Sequence, residues 1–273
     1  MGREEVDPFG EQELRSSLKT EQLGKTIYLY PSLESTNLLA KQLAEKGEKH
    51  GALVISETQT KGQGRLGRSW HSPPGGLWFS LILRPDFSKL MPQHLTFIAG
   101  LAVVQACSKI IHSVSLRWPN DLYVENKKLG GILTESRAKG DRFEYFIMGI
   151  GLNVNLAENQ LPEELKPLAT SLYILKKEQI SRAALLGDIL LHWEKILNHY
   201  PHHGFAPIVN SWKKHADFLG AFVKVDTPAG IIKGTAVDLS PSGALMIQDQ
   251  SGLIHEISCG DVRLLSIVRT PHS

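Results

Sequence analysis

The sequence is poor in cysteine: two in 273 residues, Cys107 and Cys259. Two cannot build a disulfide framework, and neither stands in a Cys-x-x-Cys pair or near a plausible set of metal ligands. Cys107 lies in an apolar helical stretch, where a small buried thiol is the expected role. Charge of one sign is missing as well. Thirty basic residues face 28 acidic ones, and no tail or run of Lys and Arg concentrates them, so nothing calls for nucleic acid as a partner. Long apolar runs are absent too. The most apolar segment, Leu95 to Ile111, is interrupted by Thr96, Gln105, Ser108 and Lys109, which makes it a core helix and not a membrane span. The opening residues Met1 to Gly10 are polar and charged, unlike a signal peptide. Residues 1–24 hold at most a short helix over Glu11 to Leu23, and a winged-helix domain with its own core needs roughly 60 residues. These absences favour a reducing cytoplasm, without membrane or DNA.

What is present suits a packed core: 42% of residues are hydrophobic, and the length allows a medium domain plus a small one. Strands are expected at Thr26–Tyr30, Ala52–Ser56 and Gly76–Leu83, the last closed by Arg84-Pro85-Asp86. A helix over Asn37–Lys46 should turn Leu38, Leu39, Leu43 and Ala44 inward. Strands follow at Val114–Arg117, Leu122–Val124, Leu129–Glu135 and Phe143–Leu152, and an amphipathic helix spans Ser181–His199. Without a strict βαβ rhythm, the expectation is an α+β fold, a mixed β-sheet flanked by helices. From residue 219 the pattern becomes short strands (222–225, 231–234, 244–247, 253–257) between turns, the mark of a small SH3-like β-barrel. The divisions are therefore a polar extension over 1–24, a main domain over 25–218 and a barrel over 219–273.

Three segments could carry chemistry. In the loop from Lys61 to Trp70, Gly62, Gly64 and Gly67 let backbone N–H groups approach a ligand, while Arg65 and Arg68 suit phosphate or carboxylate. The spacing is neither a Walker A loop nor a Rossmann fingerprint, and a flexible basic hairpin loop is the alternative. The second segment is Arg117-Trp118-Pro119-Asn120-Asp121 with Lys127-Lys128-Leu129-Gly130-Gly131. An Asn-Asp pair after proline is ordinary turn chemistry. A lysine beside two glycines, however, is what an electrophile-stabilising site needs, and Asp121 could hold Mg²⁺ against a nucleotide. In the third, Glu34-Ser35-Thr36-Asn37, three hydrogen-bonding residues start a helix where one cap is enough, so helix capping and a neutral polar ligand remain open together.

Together these segments resemble the biotin protein ligase family, in the form that lacks an N-terminal DNA-binding domain. The Ser-Thr-Asn segment, the Gly-rich Arg loop, the Trp-Pro-Asn-Asp turn and the Lys-Leu-Gly-Gly segment occur in the family's order. Gly149-Ile150-Gly151-Leu152-Asn153, Ala169-Thr170-Ser171-Leu172 and Gly260-Asp261-Val262 extend the match over roughly residues 26–265. The resemblance implies a sheet of the class II aminoacyl-tRNA synthetase type and a two-step reaction: biotin plus ATP gives biotinyl-5′-AMP, and a lysine of a biotin carboxyl carrier protein, part of a biotin-dependent carboxylase, takes the biotinyl group. It implies that Ser35, Thr36 and Gln59 bind the ureido ring of biotin, with Asn37, Gln63, Gly130 and Gly131 in the same pocket. Gly62, Gly64 and Arg65 would form a loop over biotin and its adenylate. Arg68, Trp70, Asn120, Asp121 and Asn153 would serve ATP, with Mg²⁺ at Asp121. Lys128 and Arg65 would be the catalytic residues. Two positions depart from the family pattern: Gln63 stands where the first loop arginine is expected, and Arg117 where the turn has lysine. A lipoate-type ligase and a non-catalytic biotin-binding module are the alternatives, and a homodimer through an exposed sheet edge stays open.

Overall fold

The computed structural model describes residues 10–84 and 90–266. Residues 1–9 of the expected extension, Pro85 and Asp86 of the turn after Arg84, and residues 267–273 of the barrel segment lie outside the described residues. Within them, seven strands form the main sheet: β1 (Ile27–Leu33), β2 (Leu53–Gln59), β3 (Leu77–Leu83), β4 (Ser115–Arg117), β5 (Asp121–Val124), β6 (Lys127–Lys139) and β7 (Arg142–Leu152). Their order is β1-β2-β3-β7-β6-β5-β4. The β1–β2 pair is parallel and every other pair in this sheet is antiparallel, so the sheet is mixed.

Side-chain alternation decides what each face of this sheet carries. All seven residues of β3 are buried, because both faces are covered. Leu77, Phe79, Leu81 and Leu83 join the main core with the helices α3 (Pro92–Cys107) and α5 (Arg182–His203). Ile82 packs on the opposite face under α2 (Thr36–Glu45). The α3 helix is the core helix that the sequence suggested, apolar nearly all round, and it lies between the sheet and α5. Burial there pushes the Cys107 thiol up to about 12, so it is an inert packing group. Leu38 departs from expectation: Thr36, Asn37, Ala40 and Ala44 face inward, Leu39 and Leu43 pack at the margin, and Leu38 is 43% exposed. The 36-40-44 row of the helix faces the sheet, and Leu38 falls about 200° from it.

Before β1, α1 (Glu11–Ser17) packs on α5, and Leu14 and Leu23 are fully buried. The Glu194 carboxylate accepts the backbone N–H groups of Glu21, Gln22 and Leu23 at 2.7, 2.7 and 2.9 Å, which ties this segment to α5. The short α4 (Leu172–Lys176) and α6 (Ala206–Lys213) flank α5 in sequence.

The last part is an antiparallel barrel of the SH3-like kind: β8 (Phe222–Thr227), β9 (Gly230–Leu239), β10 (Leu245–Gln248), β11 (Ile254–Ile257) and β12 (Asp261–Ser266), in the order β11-β10-β9-β8-β12. Four of these strands were expected; β12 was not, because Asp261-Val262-Arg263-Leu264 follows directly on a glycine without a separating turn motif. The barrel is not independent of the main domain. Val223, Val225, Leu245 and Ile247 belong to the same core cluster as α3. Trp118 Nε1 and Gln93 Nε2 both donate to the Gly243 carbonyl, at 2.9 and 2.8 Å. The Trp-Pro-Asn-Asp turn is thereby anchored to the barrel.

Candidate active site

The face of the sheet that carries α2 also carries a cavity of about 730 Å³. Strand register builds its floor. Ser80, Gly149 and Leu133 lie side by side across β3, β7 and β6, and Trp78, Gly151, Gly131 and Asp121 form the next row across to β5. Two glycines in the middle of this floor are required by close approach. A Cβ on Gly149 would lie 2.1 Å from Asn37 Oδ1, and one on Gly151 would lie 2.4 Å from Trp70 Nε1. Deleting these two side chains from the floor makes room for α2 and the Trp70 indole to sit directly on the backbone.

One end of the cavity is neutral and hydrogen-bonded. Ser35 caps α2, its Oγ accepting the Leu38 N–H. Thr36 donates both its backbone N–H (2.8 Å) and its hydroxyl (3.1 Å) to Gln59 Oε1, and Gln59 Nε2 donates to Ser72 Oγ at 2.9 Å. The Ser80 hydroxyl donates to Asn37 Oδ1 at 2.6 Å and lies 2.8 Å from Thr36 Oγ1. Asn37 Nδ2 donates to Glu135 Oε2 at 2.7 Å. Ser35, Thr36 and Asn37 are buried, so this chain of donors and acceptors is fixed before any ligand arrives.

The other end is charged. Lys128 Nζ lies 2.7 Å from Asp121 Oδ2 and 5.4 Å from the centre of the Trp70 ring. The lysine is positioned from behind: its backbone N–H donates to the Leu168 carbonyl at 2.7 Å, and its carbonyl accepts from Thr170 at 3.0 Å. Asn120 is clamped to β6, donating through Nδ2 to the Ile132 carbonyl at 2.8 Å and accepting the Ile132 N–H at 3.0 Å. Arg65 Nη1 reaches Asn120 Oδ1 (3.0 Å), the Gly260 carbonyl (3.2 Å) and Asp261 Oδ1 (3.2 Å). Arg68 Nη2 pairs with Asp261 Oδ2. Leu66 between them holds a left-handed backbone, φ 56°, and is 79% exposed.

Most residues singled out from sequence line this one cavity: Ser35, Thr36, Asn37, Gln59, Gln63, Gly64, Arg65, Arg68, Trp70, Asn120, Asp121, Lys128, Gly131 and Asn153. Gly62 and Gly130 lie behind the wall. Gly62 accepts the Trp70 N–H at 2.8 Å, closing the base of the loop, and Gly130 faces the Gly151 carbonyl, which its Cβ would meet at 2.7 Å. Gln63 bridges to Ser69 through its backbone within this small hairpin. Asn153 spends its amide on the fold, donating to the Thr170 carbonyl at 2.9 Å and so holding the segment that supports Lys128. Arg117 lies over the Tyr123 ring at 3.8 Å and donates to Asn126 Oδ1 at 2.5 Å. Burial, with the nearby Asp121 charge, raises the Tyr123 phenol above its ordinary value.

No cluster of three or more metal-ligating side chains occurs among the described residues. Asp121 beside the Asn120 amide supplies too few ligands for a resident metal, but it does fit a Mg²⁺ that arrives on phosphates with its own waters. Sequence reading missed Ser80, Glu135 and Asp261. Ser80 was visible in principle as the lone hydroxyl in the apolar run of β3. Glu135 carries no local signal, and Asp261 stood in the matched Gly260-Asp261-Val262 segment without a role, because their partners are 98 and more than 190 residues away.

Comparison with known proteins agrees with this architecture. The model described as "Biotin/lipoate A/B protein ligase family" matches residues 29–153, and that described as "Biotin protein ligase C terminal domain" matches residues 218–265. The chain is 40% identical over 258 residues to the bifunctional ligase/repressor BirA of Bacillus subtilis, covering 94% of this chain and 79% of that protein. It is 32% identical over 229 residues to the biotin–[acetyl-CoA-carboxylase] ligase of Paracoccus denitrificans, covering 80% and 92%. A solved structure of biotin protein ligase from Aquifex aeolicus in complex with biotin and ATP superposes with a TM-score of 0.77 at 34% identity, over 88% of this chain and 98% of that one.

Proposed function

The chain belongs to the biotin protein ligase family, and from that premise we propose that its cleft activates biotin with ATP and passes the biotinyl group to a lysine of a biotin carboxyl carrier protein. One observation carries this reading: a neutral hydrogen-bonding end and a cationic end share a single cavity, joined along a glycine floor. A ureido ring needs donors and acceptors without net charge, and Ser35, Thr36, Asn37 and Gln59 offer both. A carboxylate and an α-phosphate need cations, and Lys128, Arg65 and Arg68 supply them. Gln63, Gly64, Trp70, Gly131 and the backbone behind Gly62 and Gly130 would wall the space between.

In the first step a biotin carboxylate oxygen attacks the α-phosphorus of ATP, the bond to the β-phosphate oxygen breaks, and pyrophosphate leaves. Lys128 would neutralise charge on both reacting groups, so that two anions can approach. Asp121, with Asn120 beside it, would hold a nucleotide-borne Mg²⁺, which neutralises phosphate charge when bound. In the second step the neutral ε-amine of a carrier lysine attacks the anhydride carbonyl, the bond to AMP breaks, and the amine gives up its proton. Arg65 and Arg68 would keep the loop closed against water in the interval. The catalytic unit is taken as residues 25–218 and the barrel as 219–273. A cytoplasmic setting suits the need for ATP, and no described helix is long and apolar enough to cross a membrane.

The test is direct. The protein is incubated with ATP, Mg²⁺, a carrier domain, and biotin or lipoate in parallel, and the carrier is weighed by mass spectrometry. One biotinyl group on one lysine is expected. No mass gain with biotin, or a gain with lipoate alone, would overturn the reading.

A further inference from the structure

The cavity has a wall that belongs to the barrel. Asp261, Val262, Arg263, Leu264 and Leu265 of β12 all line it, and β12 is an edge strand of the barrel sheet. On that wall the Asp261 carboxylate engages two arginines of the Gly-rich loop at once, Arg65 through Oδ1 and Arg68 through Oδ2. Arg65 also holds Asn120, so a single carboxylate links three separate pieces of chain: the loop, the Trp-Pro-Asn-Asp turn and the barrel. The side chain of Asp261 is only 16% exposed, while that of Arg68 is 58% exposed. The acid is the more enclosed member and Arg68 the more exposed one, with Arg65 between them at 24%. The barrel side is held in place by Trp118 and Gln93, which bolt it to the main domain at Gly243. The left-handed Leu66 sits at the tip of the loop and buries almost nothing, so the closed position depends on these ion pairs instead of on packing.

We infer that Asp261 is a positioning residue of the reaction: the barrel lends the catalytic cleft a carboxylate that holds the arginine loop shut and so retains the activated intermediate until an amine arrives. Asp261 touches no reacting atom in this account. It orients Arg65 and Arg68, and its removal should raise the escape of the acyl-adenylate much more than it slows its formation. This inference rests on the proposed function, since it presupposes that an adenylate forms.

The full chain is loaded with radiolabelled biotin and ATP, separated from free ligand, and followed for release of the adenylate and for labelling of albumin lysines. For Asp261→Asn, which keeps the shape and removes the charge, release about tenfold faster is expected, the scale of losing charge-assisted hydrogen bonds. Asp261→Glu should restore retention to within about threefold, because it returns the charge. Unchanged release in Asp261→Asn, or faster release that Asp261→Glu does not rescue, overturns the inference. So does tighter nucleotide binding in Asp261→Asn without added release, which would make the contact a brake on substrate entry. If Asp261→Asn melts well below the parent, Arg68→Ala reads the same pair from its exposed side, and unchanged release there is equally fatal. A parent protein that makes no adenylate sinks the proposed function, whereas an active parent with an indifferent Asp261→Asn sinks this inference alone.

Discussion

The two ends of the cavity are built by opposite means. The neutral end stands on regular structure: the capped first turn of α2, the buried middles of β3 and β7, and the half-buried end of β2 at Gln59. Its polar atoms are already partnered at 2.6 to 3.1 Å before a ligand enters. The charged end stands on a loop, a turn and the edge of a second sheet, and it is held by ion pairs whose members are 16 to 58% exposed. Exposed ion pairs contribute little individually and are screened by salt, so they can be remade when an anion arrives. A buried, satisfied network cannot be remade cheaply, so it discriminates by shape and hydrogen-bond pattern. The same cleft thus combines a rigid hydrogen-bonding end with an adaptable charged end.

The sharpest way to break this contrast is to remove Lys128. Lys128→Ala should lower adenylate formation by about 10² to 10³, the usual loss for a group that stabilises developing charge. Biotin affinity should fall less than about tenfold, because the neutral end is untouched. Pyrophosphate release and calorimetry measure the two separately. Equal losses in both would mean that Lys128 binds ground state and transition state alike, and the division into two ends would fail.

The converse experiment damages the neutral end from below. Gly149→Ala places a methyl 2.1 Å from Asn37 Oδ1, in a region with no slack. Overpacking of this kind costs about 1–3 kcal/mol, so biotin should bind roughly 10- to 100-fold more weakly by calorimetry. At saturating biotin, adenylate formation should recover most of its rate. Thr36→Val is milder. It removes the hydroxyl that donates to Gln59 Oε1 and lies near Ser80 Oγ, leaving shape nearly unchanged. One buried hydrogen-bonding group is worth about 1–2 kcal/mol, so roughly a tenfold weaker biotin affinity is expected, with the nucleotide KM unmoved. A shift in the nucleotide KM would show that the two ends communicate.

Legibility in the sequence follows the same division. Lys128, Asp121, Asn120 and Arg65 could be singled out because glycines and prolines mark their turns, and such residues announce close backbone approach. The apolar runs of β3 and α3 announced a buried strand and a core helix. Three features stayed hidden. Leu38 looked like core because an apolar residue at a helix start fits either face, and only the seating of Asn37 over Gly149 decides the rotation. Glu135 was only the end of an expected strand, although it accepts from Asn37 of the overlying α2. Asp261 looked like part of a closing segment, since the barrel must first dock through Gly243 before its edge can meet Arg65. Long-range partners leave no periodicity in a single chain, so side chains whose role comes from another element are the ones sequence reading misses.

The smallest expected effect tests whether the charged end is as adaptable as its construction implies. Gln63 occupies the loop position where a cation was expected, lines the cavity, and contributes a backbone bridge to Ser69. That bridge does not depend on the side chain, so Gln63→Arg should leave the hairpin intact while adding one charge beside Arg65 and Arg68. A partly exposed cation near phosphates is worth about 0–1 kcal/mol, which corresponds to at most about a fivefold tighter nucleotide at low salt. The gain should fade as ionic strength rises and the screening length falls below roughly 10 Å. Titrating nucleotide into the parent and Gln63→Arg at two salt concentrations gives the comparison. A gain that survives high salt would mean that the new guanidinium is desolvated and fixed, and the charged end would then be as preorganised as the neutral one. A loss of affinity would mean that the loop arginines and Asp261 already balance, so that a third cation only loosens their grip.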